Sequence, residues 1–213
     1  MSEAGLCWAR LIRAGAGGVG NRVDELTALD SVVGDGDHGV NLVAGFKDVL
    51  ARLDADHTMT APQVLRATGD GLQESMAGAA GLLLGRFFVV ASKAIEDRFD
   101  SETVSAVLSS GTAEIVKRGG AGVGDRSMVD ALAPAATRAR ELTESGVSVA
   151  EILASAADEA RKGADSTAVL VPRVGRAARA TQTSTGKPDA GASSIALILE
   201  AWANEEARRT TDV

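Results

Sequence analysis

The chain contains no tyrosine, four phenylalanines, two tryptophans and a single cysteine in 213 residues. Aromatic residues enrich strands, so their scarcity weighs against a β-rich fold. One thiol, Cys7, excludes an intramolecular disulfide framework and fits a reducing compartment. No run of about 18 uninterrupted apolar residues occurs, so no membrane span is expected. The first apolar run carries Glu3, Arg10 and Arg13, unlike a signal peptide. A cytoplasmic location is therefore expected. Positive charge is also short: 22 Lys and Arg against 29 Asp and Glu give a net charge of −7. General nucleic-acid binding wants a basic face and is not expected. A nucleotide site remains open, because a metal ion and local arginines can outweigh the overall sign.

What is present favours helix. Alanine, the best helix former, is abundant. With 45% hydrophobic and 24% charged residues, the composition is ordinary for a globular protein. At this length roughly 70% of the unfolded surface can be buried, enough for one sizeable core. Helical periodicity predicts elements near 3–14, 19–32, 38–53, 60–72, 78–99, 101–117, 127–144, 148–170 and 192–208. Thr60 with Pro62 reads as the start of one of them. No internal repeat, second domain or confident strand is evident. The expected fold class is all-α: a single domain over 1–213 of eight or nine antiparallel helices with short loops.

The densest chemistry lies in Leu29-Asp30-Ser31-Val32-Val33-Gly34-Asp35-Gly36-Asp37-His38-Gly39-Val40-Asn41. Three carboxylates fall within eight residues, interleaved with glycines that permit sharp turns. Acids this close repel unless a cation sits among them, and oxygen ligands suit a divalent ion. In an extended turn Asp35 and Asp37 point the same way. A helix starting near His38 would bring its N–H groups and positive dipole end beside the metal, a pairing that suits a phosphate chain. An EF-hand does not fit. Counted from Asp35, the required glycine falls on Val40 and the twelfth-position Glu on Phe46. An ordinary Asp-Gly surface turn is the plain alternative.

Three glycine-rich segments need weighing. Gly15-Ala16-Gly17-Gly18-Val19-Gly20 has the spacing of a dinucleotide fingerprint, but the run before it is helical and not a buried strand. It is expected to break the first helix as a connection. Gly78-Ala79-Ala80-Gly81 with Gly85 suits either close helix packing or a backbone N–H cradle at a helix start. Gly119 to Gly124 has P-loop spacing, yet Asp125-Arg126 stand where Lys and Ser/Thr are needed, which excludes a Walker A loop. The stretch 171–191 is long and irregular, with basic residues able to reach phosphates. His57, in a polar loop, is expected to be exposed.

Taken in series, four segments resemble the L-type, nucleotide-binding subunits of the dihydroxyacetone kinase family. They are Leu29-Asp30 with Gly34 to Asn41; Gly78 to Gly81 with Gly85, Phe87 and Phe88; Arg118-Gly119 with Gly124-Asp125-Arg126-Ser127-Met128-Val129-Asp130; and Pro188-Asp189-Ala190-Gly191-Ala192-Ser193. The resemblance spans nearly the whole chain. It implies an eight-helix barrel binding ADP or ATP at one rim, with Asp30, Asp35 and Asp37 holding Mg²⁺. It further implies that His38, Gly39, Val40, Asn41, Ala79, Ala80, Gly119, Met128, Arg176, Pro188, Asp189 and Ala190 surround the nucleotide. The family usually carries Ser where Ala80 stands, and a Leu-Gly-Glu-Arg stretch where Ala177 to Gln182 follow Arg176. The variant Ser184 to Asp189 stretch points towards another ketose, such as erythrulose.

The implied activity is phosphoryl transfer to a ketose held on a separate K-type sugar-binding subunit. No general base is identifiable in this chain. Free ATP, or a phosphocarrier protein that recharges bound ADP, would supply phosphate. A homodimer is compatible with this role. The alternative is a non-catalytic ADP-binding regulatory subunit.

Overall fold

The computed structural model describes residues 1–32, 34–175, 178 and 186–211. Among these, nine α-helices and no strand occur: α1 Glu3–Gly20, α2 Val23–Asp30, α3 His38–Ala55, α4 Ala61–Ser75, α5 Gly78–Ala94, α6 Ser101–Gly119, α7 Val129–Glu144, α8 Val149–Ser166 and α9 Ala190–Thr211. A short 3-10 turn, Thr167–Val169, follows α8.

Local sequence explains the starts of α1, α4, α6 and α8. Ser2 Oγ accepts the Gly5 N–H at 2.9 Å to open α1. Before α4, Gln63 accepts the Thr60 N–H at 2.8 Å, with Pro62 in the first turn. Asp100 and Thr103 cap α6 reciprocally, and Ser148 and Glu151 do the same for α8. Each pair satisfies donors that an α-helix leaves orphaned at its N-terminus.

Each helix from α2 onward packs on its sequence neighbour, and α1 packs on both α9 and α4. Helices α4 to α9 with α1 therefore close a ring; α3 lies against α1 and α4, and α2 joins α3 to α9. The interior is built from small aliphatics around a few rings. Trp8 meets Trp202 edge-on at 6.0 Å between centroids and Phe99 at 5.5 Å. Both tryptophans are fully buried.

Short connections make successive helices alternate in direction. The N-termini of α3, α5, α7 and α9 consequently share one end of the bundle. That end carries the acidic turn, Ala79-Ala80, the α6–α7 connection and the approach to α9.

Several expected element bounds are corrected. The first glycine hexamer does not break α1, which runs on to Gly20. Gly15 and Val19 continue the buried stripe of Trp8, Leu11 and Ile12. A Cβ at Gly15 would stand 3.1 Å from Trp202 Nε1, and one at Gly18 3.0 Å from Ala201 Cβ. These glycines let α1 approach α9, so tertiary packing overrides low helix propensity. Helix α5 ends at Ala94; Ile95 is extended, and Phe99 belongs to the connection. Helix α2 also starts later than expected, at Val23, and α9 earlier, at Ala190.

Candidate metal and nucleotide site

Helix α2 ends on Asp30, and α3 begins eight residues later, at His38. Between them the chain folds back so that one oxygen from each of Asp30, Asp35 and Asp37 lies within 4.8 Å of the others. Asp30 holds the turn together. Its Oδ2 accepts the N–H of Asp37 at 3.0 Å and of His38 at 3.3 Å, capping α3 from a distance. Gly36 has φ 71°, which favours glycine. A Cβ at Gly34 would collide with the Asp30 carboxylate, so the tight turn requires its absence. Three hard carboxylate oxygens beside a helix N-terminus fit a small divalent cation with phosphate on its open side.

His38 is buried, at 7% exposure. Its Nε2 lies 3.2 Å from Ser194 Oγ. With the Ser194 hydroxyl also donating to Gly191 O at 2.8 Å, the serine holds the imidazole by a hydrogen bond. The bond fastens the start of α3 to the first turn of α9. Gly191 in turn faces Met128: a Cβ there would stand 3.6 Å from Met128 Cβ. Met128, immediately before α7, is buried.

The turn into α9 is tightly held. Asp189 Oδ2 accepts the Ala192 N–H at 2.8 Å, and the Asp189 N–H donates to Thr167 Oγ1 at 2.7 Å. Burial raises the Asp189 carboxyl from 3.8 to about 6, against the lowering effect of the Ala192 N–H and of Arg126; Asp130 adds to the rise. Asp130, itself buried, accepts the N–H of Gly124 at 2.5 Å and of Ser127 at 2.8 Å. The second glycine hexamer is thus folded back onto the start of α7.

The sequence-derived site residues fall as follows. Asp30, Asp35 and Asp37 form one group; the His38 N–H bonds Asp30 while its ring meets Ser194, and Gly39, exposed Val40 and Asn41 follow in the first turn of α3. Gly39 sits against α2, where a Cβ would strike Val23 O. Pro188, Asp189 and Ala190 lead into α9, next to Met128. Ala79 and Ala80 lie in the first turn of α5, and Gly119 ends α6. A Cβ on Gly119 would stand 3.7 Å from Leu83 of α5, so these two share a border. In the Gly78–Gly85 stretch, Gly81 and Gly85 are packing glycines, each with a backbone carbonyl where a Cβ would go, and Ala79 is exposed at the helix start. Arg176 lies outside the described residues. His57 is exposed, as expected.

Sequence reasoning assigned no role to Arg126, Asp130, Thr167 or Ser194. Arg126 and Asp130 stand in the quoted Gly124-to-Asp130 motif, which was the available signal. Thr167 and Ser194 act on residues far along the chain, and no local pattern marks them.

A family model described as the DAK2 domain matches residues 32–204. The chain is 34% identical over 177 residues to the ADP-binding subunit DhaL of the PEP-dependent dihydroxyacetone kinase of Escherichia coli K12, covering 82% of this chain and 84% of that one. It is also 34% identical over 206 residues to the L-erythrulose kinase of Pectobacterium atrosepticum, covering 92% of this chain but 34% of that one. The crystal structure of the C. freundii dihydroxyacetone kinase in complex with AMP-PNP and Mg²⁺ superposes with a TM-score of 0.71 at 28% identity, over 91% of this chain and 33% of that one. The chain therefore spans about a third of the length of these two larger kinases.

Proposed function

Since the chain belongs to the DAK2 domain family, we propose that it is the nucleotide-binding subunit of a kinase for dihydroxyacetone or a related ketose, a single L-type domain over residues 1–213. The observation that carries this reading is the cluster of Asp30, Asp35 and Asp37 at the N-terminus of α3. Such a donor set fits Mg²⁺ bridging the phosphates of ADP or ATP. The nucleotide complex of the C. freundii kinase supports the same pairing of ligands.

On this reading Asp30, Asp35 and Asp37 hold the metal, and the first-turn N–H groups of α3 at Gly39, Val40 and Asn41 face the phosphates. Ala79-Ala80, Gly119, Met128 and the Pro188-Asp189-Ala190 turn border the base and ribose, with Arg176 assigned to the same rim. When bound, the metal neutralises charge on the transferring phosphoryl group, as positioning and electrostatics dominate this chemistry. The chain's own part is to fix the turn through Asp30, to pin α3 to α9 through His38 and Ser194, and to keep the diphosphate beside helix N-termini.

The sugar is proposed to sit on a separate K-type subunit. The larger relatives, of which this chain matches about a third, have room for such a domain in the same polypeptide. The proposal places the chain in the cytoplasm; no helix among the described residues is long and apolar enough to cross a membrane. The test is phosphate transfer to dihydroxyacetone or erythrulose with a K-type subunit added, fed either by ATP or by a phosphocarrier protein. Transfer that Asp35→Asn abolishes is expected. Tight ADP binding without transfer under any of these conditions would overturn the kinase reading in favour of a regulatory subunit.

A further inference from the structure

Arg126 is the one non-glycine residue at positive φ among the described residues, at 62°. It is also buried to 2% exposure, in a connection between helices. A left-handed conformation costs a branched-out side chain free energy and persists where surrounding contacts over-determine it. Those contacts are on hand. The Nε–H donates to Thr167 O at 2.9 Å, and a terminal nitrogen donates to Lys187 O. Thr167 Oγ1 accepts the Asp189 N–H and donates to Ala164 O. The guanidinium attracts the Asp189 carboxylate, while burial pulls its own pKa down.

Neighbouring bonds stitch the same segments. Asp125 O accepts the Arg173 N–H at 3.1 Å, its carboxylate lies 3.5 Å from the Arg173 guanidinium, and Gly186 N donates to Ala168 O at 2.6 Å. The α6–α7 connection, the end of α8 and the approach to α9 thus form one block with Arg126 at its centre. Met128 and the Pro188-Asp189-Ala190 turn both belong to that block.

We propose that Arg126 is a positioning residue for the nucleotide: its planar fork bridges two connections and sets the Pro188-Asp189-Ala190 turn and Met128 at the spacing that the bound base and ribose require. This rests on the reading of that rim as the nucleotide site. A guanidinium suits the task because its donors sit on separate nitrogens fixed in one plane and reach two carbonyls at once, whereas a lysine ammonium is a compact point charge with no fixed fork. The groups facing Asp189 are Arg126 from the α6–α7 connection and Asp130 from α7. Loss of the guanidinium leaves Asp189 beside Asp130 without its counter-charge.

The test uses the full chain with Mg²⁺ and ADP in calorimetric titrations from pH 5 to 8. Arg126→Gly removes the side chain at a backbone conformation that glycine adopts without strain. Arg126→Lys keeps the charge and is the milder variant should the glycine variant fold poorly. The expected result is a Kd for Mg·ADP at least tenfold higher for Arg126→Gly, with a partial recovery for Arg126→Lys. The pH midpoint of binding should move upward in Arg126→Gly, a change that simple loss of stability would not produce. Amide exchange adds a readout independent of ADP: protection should fall at 186–193 in either variant and stay unchanged in α1 and α4. Both variants binding within twofold of the parent, with its pH midpoint, would overturn the inference and leave the nucleotide reading standing. A parent chain that does not bind Mg·ADP would remove both.

Discussion

Gly15 to Gly20 and Gly119 to Gly124 have the same composition, four glycines with one alanine and one valine, and opposite structures. The first is helix; the second leaves helix at Gly120 with φ 65° and turns again at Gly124 with φ 93°. Composition does not separate them, but neighbours do. In the first, Val19 is fully buried and Gly15 faces Trp202 and Ile198 of α9. In the second, Val123 is 70% exposed, and Asp125 and Asp130 draw the N–H groups of Gly122 and Gly124 into side-chain hydrogen bonds. Glycine in α1 thus serves close packing, and glycine after α6 serves a fixed turn at the functional end.

The contrast can be attacked at several points. The largest effect is expected for Gly15→Leu, which drives a side chain into Trp202 and should cost about 3 kcal/mol. Denaturant unfolding checks it; unchanged stability would mean α1 and α9 are not closely apposed. Next, Asp130→Ala strips the acceptor from Gly124 and Ser127 and should cost about 2 kcal/mol while also weakening Mg·ADP binding. A loss of stability with binding intact would detach the second hexamer from the site.

Smaller again is a pH effect. Asp189 titrates at about 6 in the folded chain against an ordinary 3.8, so the folded state holds a proton that the unfolded state releases. Stability is therefore highest below the lower value and falls as pH rises through the upper one. A rise from 3.8 to about 6 is worth about 3 kcal/mol at most. Asp189 is only half-buried, so solvent screening leaves a loss on the order of 1–2 kcal/mol, which Asp189→Asn should flatten in thermal melts across that window. Smallest is a pair of equal substitutions with opposite signs. Gly17→Ala, on an exposed helical face with open space around it, should stabilise by about 0.5–1 kcal/mol. Gly120→Ala, at positive φ, should destabilise by about 1 kcal/mol. Equal signs would erase the distinction between the hexamers.

Much of the fold and part of the site were legible before any coordinates. Stripes such as Trp8, Leu11 and Ile12 mark buried helix faces, and caps such as Ser148 with Glu151 mark their starts, because both are set by residues three or four apart. The acidic turn is legible for the same reason: its acids and glycines crowd into one short stretch. The hexamer in α1 was misread because the partner that keeps it helical, α9, lies some 180 residues away. Ser194 contacts His38 across 156 residues, and Arg126 reaches Thr167 across 41 and Lys187 across 61, so their roles emerge only once the chain has folded. Sequence pattern reports short-range physics well, and these contacts are not short-range.

Everything functional in this account depends on the acidic turn gripping a metal-bound diphosphate. The direct measurement is calorimetric titration of ADP into the parent chain and into Asp35→Asn, each with Mg²⁺ and with EDTA. Saturable binding by the parent in Mg²⁺ alone is predicted, weakened at least tenfold by Asp35→Asn. Binding of equal strength in all four titrations, or in none, would contradict it.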